Sequence, residues 1–133
     1  MSGKVAVVTA MREEAHLLGG PLERGDPADH LELESWEGKI GRTQLSVIIT
    51  GIGKVASALA IQHVLNRHQP DWLLVTGIAG AAGEHIPLGT LVVPKRAVQW
   101  DVDARPLVDR PGLIPGMGSE FFPACLLYTS RCV

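Results

Sequence analysis

The sequence predicts an α/β fold in which helices cover the faces of a sheet. Three observations carry this. A short β-branched run, Lys4–Thr9 (KVAVVT), leads at once into a helix-forming segment. A later apolar run, Thr43–Thr50, ends in Thr-Gly and again opens onto a helical pattern, and a third, Trp72–Thr76, ends the same way. A length of 133 residues, a net charge of −2 and a mean hydropathy of +0.18 suit one folded α/β-type domain and not a disordered or fibrous chain.

Taken in order, Lys4–Thr9 reads as a buried strand and Met11–Leu18 as a helix with Glu13 and Glu14 in its first turn, where acids suit the positive end of the helix dipole. Gly19, Gly20 and Pro21 stop it, and Arg24–Asp29 is a polar loop. His30–Glu37 alternates (HLELESWE) as a half-buried strand does, "GKIGR" turns the chain, and Thr43–Thr50 returns as a hairpin partner. Lys54–Arg67 places Val55, Leu59, Val64 and Leu65 among small residues and reads as a helix packed closely on a sheet. Trp72–Thr76 is expected as a central strand buried on both faces. "GIAGAAGEHIPLG" is a Gly- and Ala-rich loop, Thr90–Pro94 another strand, and Lys95–Asp103 extended chain. From Arg105 to Pro123, proline and glycine recur too often for regular structure.

Composition narrows the partners. No Lys/Arg cluster suggests a nucleic-acid surface. No apolar run approaches membrane-spanning length, and no signal-peptide pattern opens the chain, so a cytoplasmic location is expected. Both cysteines, Cys125 and Cys132, fall in the closing nine residues, so the preceding chain can build neither a disulfide framework nor a Cys-based metal site. The tail "CLLYTSRCV" is either an ordinary apolar terminus or, as its resemblance to a translated transposon adapter suggests, foreign; on the second reading the genuine residues stop near Ala124 while the gene continued, giving a truncated domain over 1–124 and a non-native tail over 125–133.

Several motifs point to chemistry. "TGIGKVASA" (Thr50–Ala58) is a strand running through Gly51 and Gly53 into a helix, which lets backbone amides approach an anion, or simply makes a tight turn. It lacks the position and the following acid of a dinucleotide fingerprint, since Asp71 precedes the next strand, and Val55 excludes a Walker A loop. "TGIAGAAG" (Thr76–Gly83) lies at the carboxyl end of a strand, where open α/β sheets bind ligands. Glu13 and Glu14 are either solvated first-turn acids or contain a general base. Adjacent helical residues point about 100° apart, so at most one faces the site. Asp101 and Asp103 share a face if their segment is a strand, but they lack the further ligands of a metal site, and ion pairing of this segment with Arg105 is the simpler expectation. His63 and His68 read as surface residues.

In this order, "AMREE", "TGIGKVASALA", "PDWLLVTGIAGAAGEHIPLGTLVV" and "WDVDARPL…GLIPGMG" resemble the amino-terminal half of 5′-methylthioadenosine/S-adenosylhomocysteine nucleosidases, of the nucleoside phosphorylase superfamily. The resemblance implies a phosphorylase/hydrolase-like three-layer α/β/α fold with a mixed central sheet. It implies hydrolysis of the N-glycosidic bond with release of adenine, a small-molecule nucleoside substrate, no metal or organic cofactor, and a homodimer when full length. By the same resemblance Glu14 activates the attacking water, and Ala10, Met11 and Ile52 surround the ribose and the water. Ile78, Ala79 and Gly80 line the base and ribose, while Leu107 and Pro115 close the 5′-substituent pocket of a neighbouring copy. Ile78 stands where relatives often carry serine, and nothing in the chain matches the family's ribose-binding glutamate or the aspartate that protonates adenine. Without that acid the 133-residue chain is expected to be inactive. The rival functions are a phosphorylase of the same superfamily and a non-catalytic nucleotide-binding or dimerisation module.

Overall fold

A computed structural model describes residues 3–19, 22–25, 31 and 33–124. The tail expected at 125–133 and parts of the expected loop and strand between Arg24 and Glu37 lie outside them. The chain forms two compact units, residues 1–80 and 81–133.

The first unit is built on β1 (Lys4–Thr9), α1 (Arg12–Gly19), β2 (Glu23–Arg24), β3 (Ser35–Ile40), β4 (Thr43–Ile49), α2 (Lys54–His68) and β5 (Trp72–Val75). The strands form one mixed sheet in the order β2-β3-β4-β1-β5. β1 runs parallel to both β4 and β5, and β3 pairs antiparallel with β4 as the expected hairpin. Gly38, Lys39 and Ile40, expected in the turn, extend β3 instead, so that only Gly41 and Arg42 make the turn, and Gly41 has a φ of 60°, which favours a residue without a Cβ.

Alternation along β1 sorts the core into two layers. Ala6 and Val8 face α2 and pack with Ile48 and Val64, all at most 1% exposed. Val7 faces α1 and packs with Ala15 and Val47. The sheet is thus sandwiched between α1 and α2, the three-layer arrangement expected. α1 and α2 leave the neighbouring carboxyl ends of β1 and β4 toward opposite faces, the topology at which open α/β sheets bind ligands. Each of β1, β4 and β5 is closed off there by a threonine: Thr9, Thr50 and Thr76.

Several expectations are corrected. β5 is an edge strand and not a central one. Leu74 and Val75 are 51% and 75% exposed, because α1 rests on β4 and β1 and α2 on β1, leaving β5 largely uncovered. His63 and His68 are half-buried, and His68 Nδ1 lies 3.4 Å from Glu37 Oε1 on β3. Arg24, expected to begin a polar loop, instead pairs with β3 together with Glu23.

In the second unit, β6 (Arg96–Val98) and β7 (Phe121–Pro123) form an antiparallel pair, with the Arg96 guanidinium 4.1 Å from the centre of the Phe121 ring. Residues 90–94 are not a strand. They have no pairing partner among the described residues, and Leu91, Val92 and Val93 are all exposed. Of the extended run expected over 95–103, only β6 is strand. Trp100 and Asp101 lie in a turn, so Asp101 and Asp103 do not share a strand face.

Candidate active site

The residues at the carboxyl end of β1 converge on one carboxylate. Glu14 stands in the first turn of α1, three residues after Met11, and its side chain folds back over the strand end. Oε2 accepts from the Thr9 hydroxyl at 2.5 Å, the Ala10 amide at 3.0 Å and the Met11 amide at 3.2 Å. Oε1 accepts from the Ile78 amide at 2.9 Å, in the loop that follows β5. The Met11 contact is the returning half of a capping box, in which a first-turn Glu satisfies an amide that the helix leaves open. The Ile78 contact is not local: it ties the end of β1 to the end of β5.

These donors favour the charged form. The Thr9 hydroxyl and then the Ile78 amide hold the Glu14 carboxyl below its usual value of 4.5, helped by the Met11 and Ala10 amides and opposed by partial desolvation. Glu13, the neighbour in sequence, points outward and is exposed. The two acids therefore stand in different surroundings, as their helical spacing requires.

Gly77 makes the close approach possible. A Cβ there would stand 2.9 Å from Glu14 Oε1, inside any normal contact. The signal in the sequence was the glycine right after a strand-ending threonine. Thr9 was overlooked as a partner, although its place on the α1 side of β1 follows from the strand's alternation.

The structure brings Ala10, Met11, Glu14 and Ile78 together around this carboxylate. Ala79 and Gly80 continue the same loop, both exposed. Ile52 lies past the end of the adjacent β4, 77% exposed between Gly51 and Gly53, whose φ values of 81° and 102° need glycine. No side chain caps the start of α2, and its first turn holds no acid. Thr50 anchors this corner: its amide donates to the Thr9 carbonyl at 2.8 Å, and its hydroxyl lies 3.5 Å from that of Ser57 on α2. Leu107 and Pro115 belong to the second unit and are exposed. Asp103 pairs with Arg105, with contacts of 2.6 and 2.9 Å, as expected. Among the described residues, no group of three or more His, Cys, Asp or Glu could hold a metal ion.

The sequence matches the model of the phosphorylase superfamily over residues 4–129. The chain belongs to this family. It is 30% identical over 118 residues to a 5′-methylthioadenosine/S-adenosylhomocysteine nucleosidase of Maridesulfovibrio salexigens, an alignment that covers 89% of this chain and 51% of the relative. In structure it superposes on the S-adenosylhomocysteine nucleosidase of Streptococcus pyogenes with a TM-score of 0.84 at 27% identity, over 96% of this chain and 54% of the other. It also superposes on the futalosine hydrolase of Helicobacter pylori, with a TM-score of 0.82 at 25% identity, over 97% of this chain and 55% of the other. The chain spans about half the length of the curated relatives it matches.

Proposed function

We propose that this chain is the amino-terminal half of a nucleosidase that cleaves the N-glycosidic bond of 5′-methylthioadenosine- or S-adenosylhomocysteine-type nucleosides with water, releasing adenine. The observation that carries the reading is the Glu14 carboxylate, held ionised over the carboxyl ends of β1 and β5 by amides from two different loops. Cleavage of an N-ribosyl bond builds positive charge on the sugar and negative charge on the base. A carboxylate on one face of the ribose orients water and takes its proton, and an acid on the other side must neutralise the departing base. Glu14 serves the first role. The acid belongs to the remainder of the full-length protein, so the 133-residue chain by itself should release no adenine.

Water is favoured over phosphate by the charges around the site. Arg12, the one cation of the "AMREE" segment, is taken up by Glu34, with Nη2 2.8 Å from Oε2, and so is a poor phosphate ligand. Ile78 puts an apolar side chain, 81% exposed, on the loop that would meet the ligand. The reading includes a cytoplasmic homodimer serving methionine salvage, in which the exposed Leu107 and Pro115 reach a neighbour's site. No helix among the described residues is long and apolar enough to cross a membrane.

The test is adenine release by the full-length protein in phosphate-free buffer, from methylthioadenosine and adenosylhomocysteine, with futalosine as a third substrate. Glu14→Gln keeps the size of the side chain and should lower kcat by about 10²–10⁴-fold, the range of a general base. Release that depends on phosphate would favour a phosphorylase, and an unchanged Glu14→Gln would remove Glu14 from the reaction.

A further inference from the structure

Thr9 ends β1 and is 2% exposed. Its Cα pairs with Ile49 of β4, and its side chain lies on the same face as Val5 and Val7, which is the face α1 covers. β4 locks its backbone: the Thr9 carbonyl accepts from the Thr50 amide at 2.8 Å and from the Thr50 hydroxyl at 3.2 Å. A buried hydroxyl needs a partner. Its partner here is Glu14 Oε2, at 2.5 Å, the shortest of the contacts to that carboxylate.

Resting on the reading of Glu14 as the water-activating group, we infer that Thr9 is a positioning residue for it: the hydroxyl pins Oε2 to the rigid end of β1 and so fixes the plane of the carboxylate. The amide donors come from residues that follow β1 and β5, whereas Thr9 is part of the sheet itself. The Thr9 hydroxyl is also the largest of the influences that hold the Glu14 carboxyl below its usual value. Besides Glu14, α1 carries Arg12, Glu13 and the exposed His16; β1 carries one charge, Lys4, at its opposite end; Glu34 precedes β3 and Lys54 opens α2. Arg12 and Glu34 bind each other, and the described donors to Glu14 are all neutral.

Positioning and basicity pull in opposite directions here, which makes the role testable. Removing the hydroxyl makes Glu14 a stronger base, and basicity alone would then speed proton abstraction. Loss of orientation slows it. In the full-length protein, Thr9→Val keeps the β-branched shape without the donor, Thr9→Ala removes both, and Thr9→Ser keeps the donor. With Val and Ala the acid limb of the pH profile should move to higher pH, since activity is lost as pH falls through a raised carboxyl pKa. Over the same variants kcat should fall about tenfold with KM little changed. Ser should retain the wild-type limb and most of kcat. A silent Val with a damaged Ser would mean that Thr9 only packs, and an unmoved acid limb in both Val and Ala would also overturn the inference.

Failure of the underlying reading shows separately, as an unchanged Glu14→Gln. The Thr9 contact can be read without catalysis, by ¹³C NMR titration of the Glu14 carboxyl. Its midpoint should rise in Val and Ala and hold in Ser, and a midpoint that ignores all three substitutions would refute the contact itself.

Discussion

Gly77→Ala places one methyl group against the carboxylate on which the proposed chemistry depends. The new Cβ would lie 2.9 Å from Glu14 Oε1, 3.3 Å from Cδ and 3.4 Å from Oε2. Ordinary contact begins near 3.4 Å, so Oε1 must retreat by about 0.5 Å. The Ile78 amide is on the next residue, so the retreat stretches its 2.9 Å bond toward about 3.4 Å, the edge of a useful hydrogen bond. The carboxylate cannot swing freely, because Thr9, Ala10 and Met11 hold Oε2. A misplacement of about 1 Å can cost about 10²-fold in rate, so half of that should cost about tenfold in kcat, or about 1.4 kcal/mol of transition-state stabilisation. Adenine release by the full-length protein gives the rate. The amide proton shift of Ile78, followed against pH, reports whether Glu14 still bonds to it. Wild-type kcat together with an Ile78 amide that still titrates with Glu14 would refute the reasoning.

Other outcomes follow from the same structure. Asp103, paired with Arg105, has its carboxyl lowered from 3.8 to about 2, so the pair is intact above 3.8 and dissolves as pH falls toward 2. NMR titration should find that midpoint, and Arg105→Gln should return it toward 3.8. Val64 is wholly buried between α2 and the sheet, and Val64→Ala should cost about 2–3 kcal/mol, read as a lower urea midpoint. The 133-residue chain exposes Ile52, Val55, Leu59 and Val75, and should bind a hydrophobic dye or aggregate. A monodisperse chain with one cooperative melt and no dye binding would contradict this.

Local patterns in the sequence were enough for β1, the β3–β4 hairpin and α2, because each carries its own period and its own terminator. In β1 the unbroken apolar run Val5–Val8 matches a strand covered on both faces, Ala6 and Val8 toward α2 and Val7 toward α1. The misreadings share a cause. The apolar run of β5 suggested a strand buried on both faces, but burial depends on what covers a strand, and here the helices sit over β1 and β4. Residues 90–94 have the composition of a strand, yet strand propensity expresses little more than fitness for a neighbour, and no neighbour pairs with them among the described residues. At the site, the choice of Glu14 over Glu13 followed from helical spacing and the resemblance together. The alternation of β1 puts the Thr9 hydroxyl on the face of Val5 and Val7, but its bond to Glu14 depends on how α1 folds back, and the Ile78 amide is a contact across 64 positions of chain, so neither partner was legible.

The way Glu14 is bound also fixes where anything else can bind to it. A carboxylate offers about four acceptor directions, two on each oxygen. Three donors crowd Oε2 and one meets Oε1. One oxygen is therefore saturated and committed to the fold, and the spare capacity lies on the other, beside Ile78. A water taken up there has a single address, next to the loop after β5. In the proposed reaction the attacked sugar would therefore lie on the Ile78 side of the carboxylate, because the unequal loading of its two oxygens leaves only that side open to a further donor.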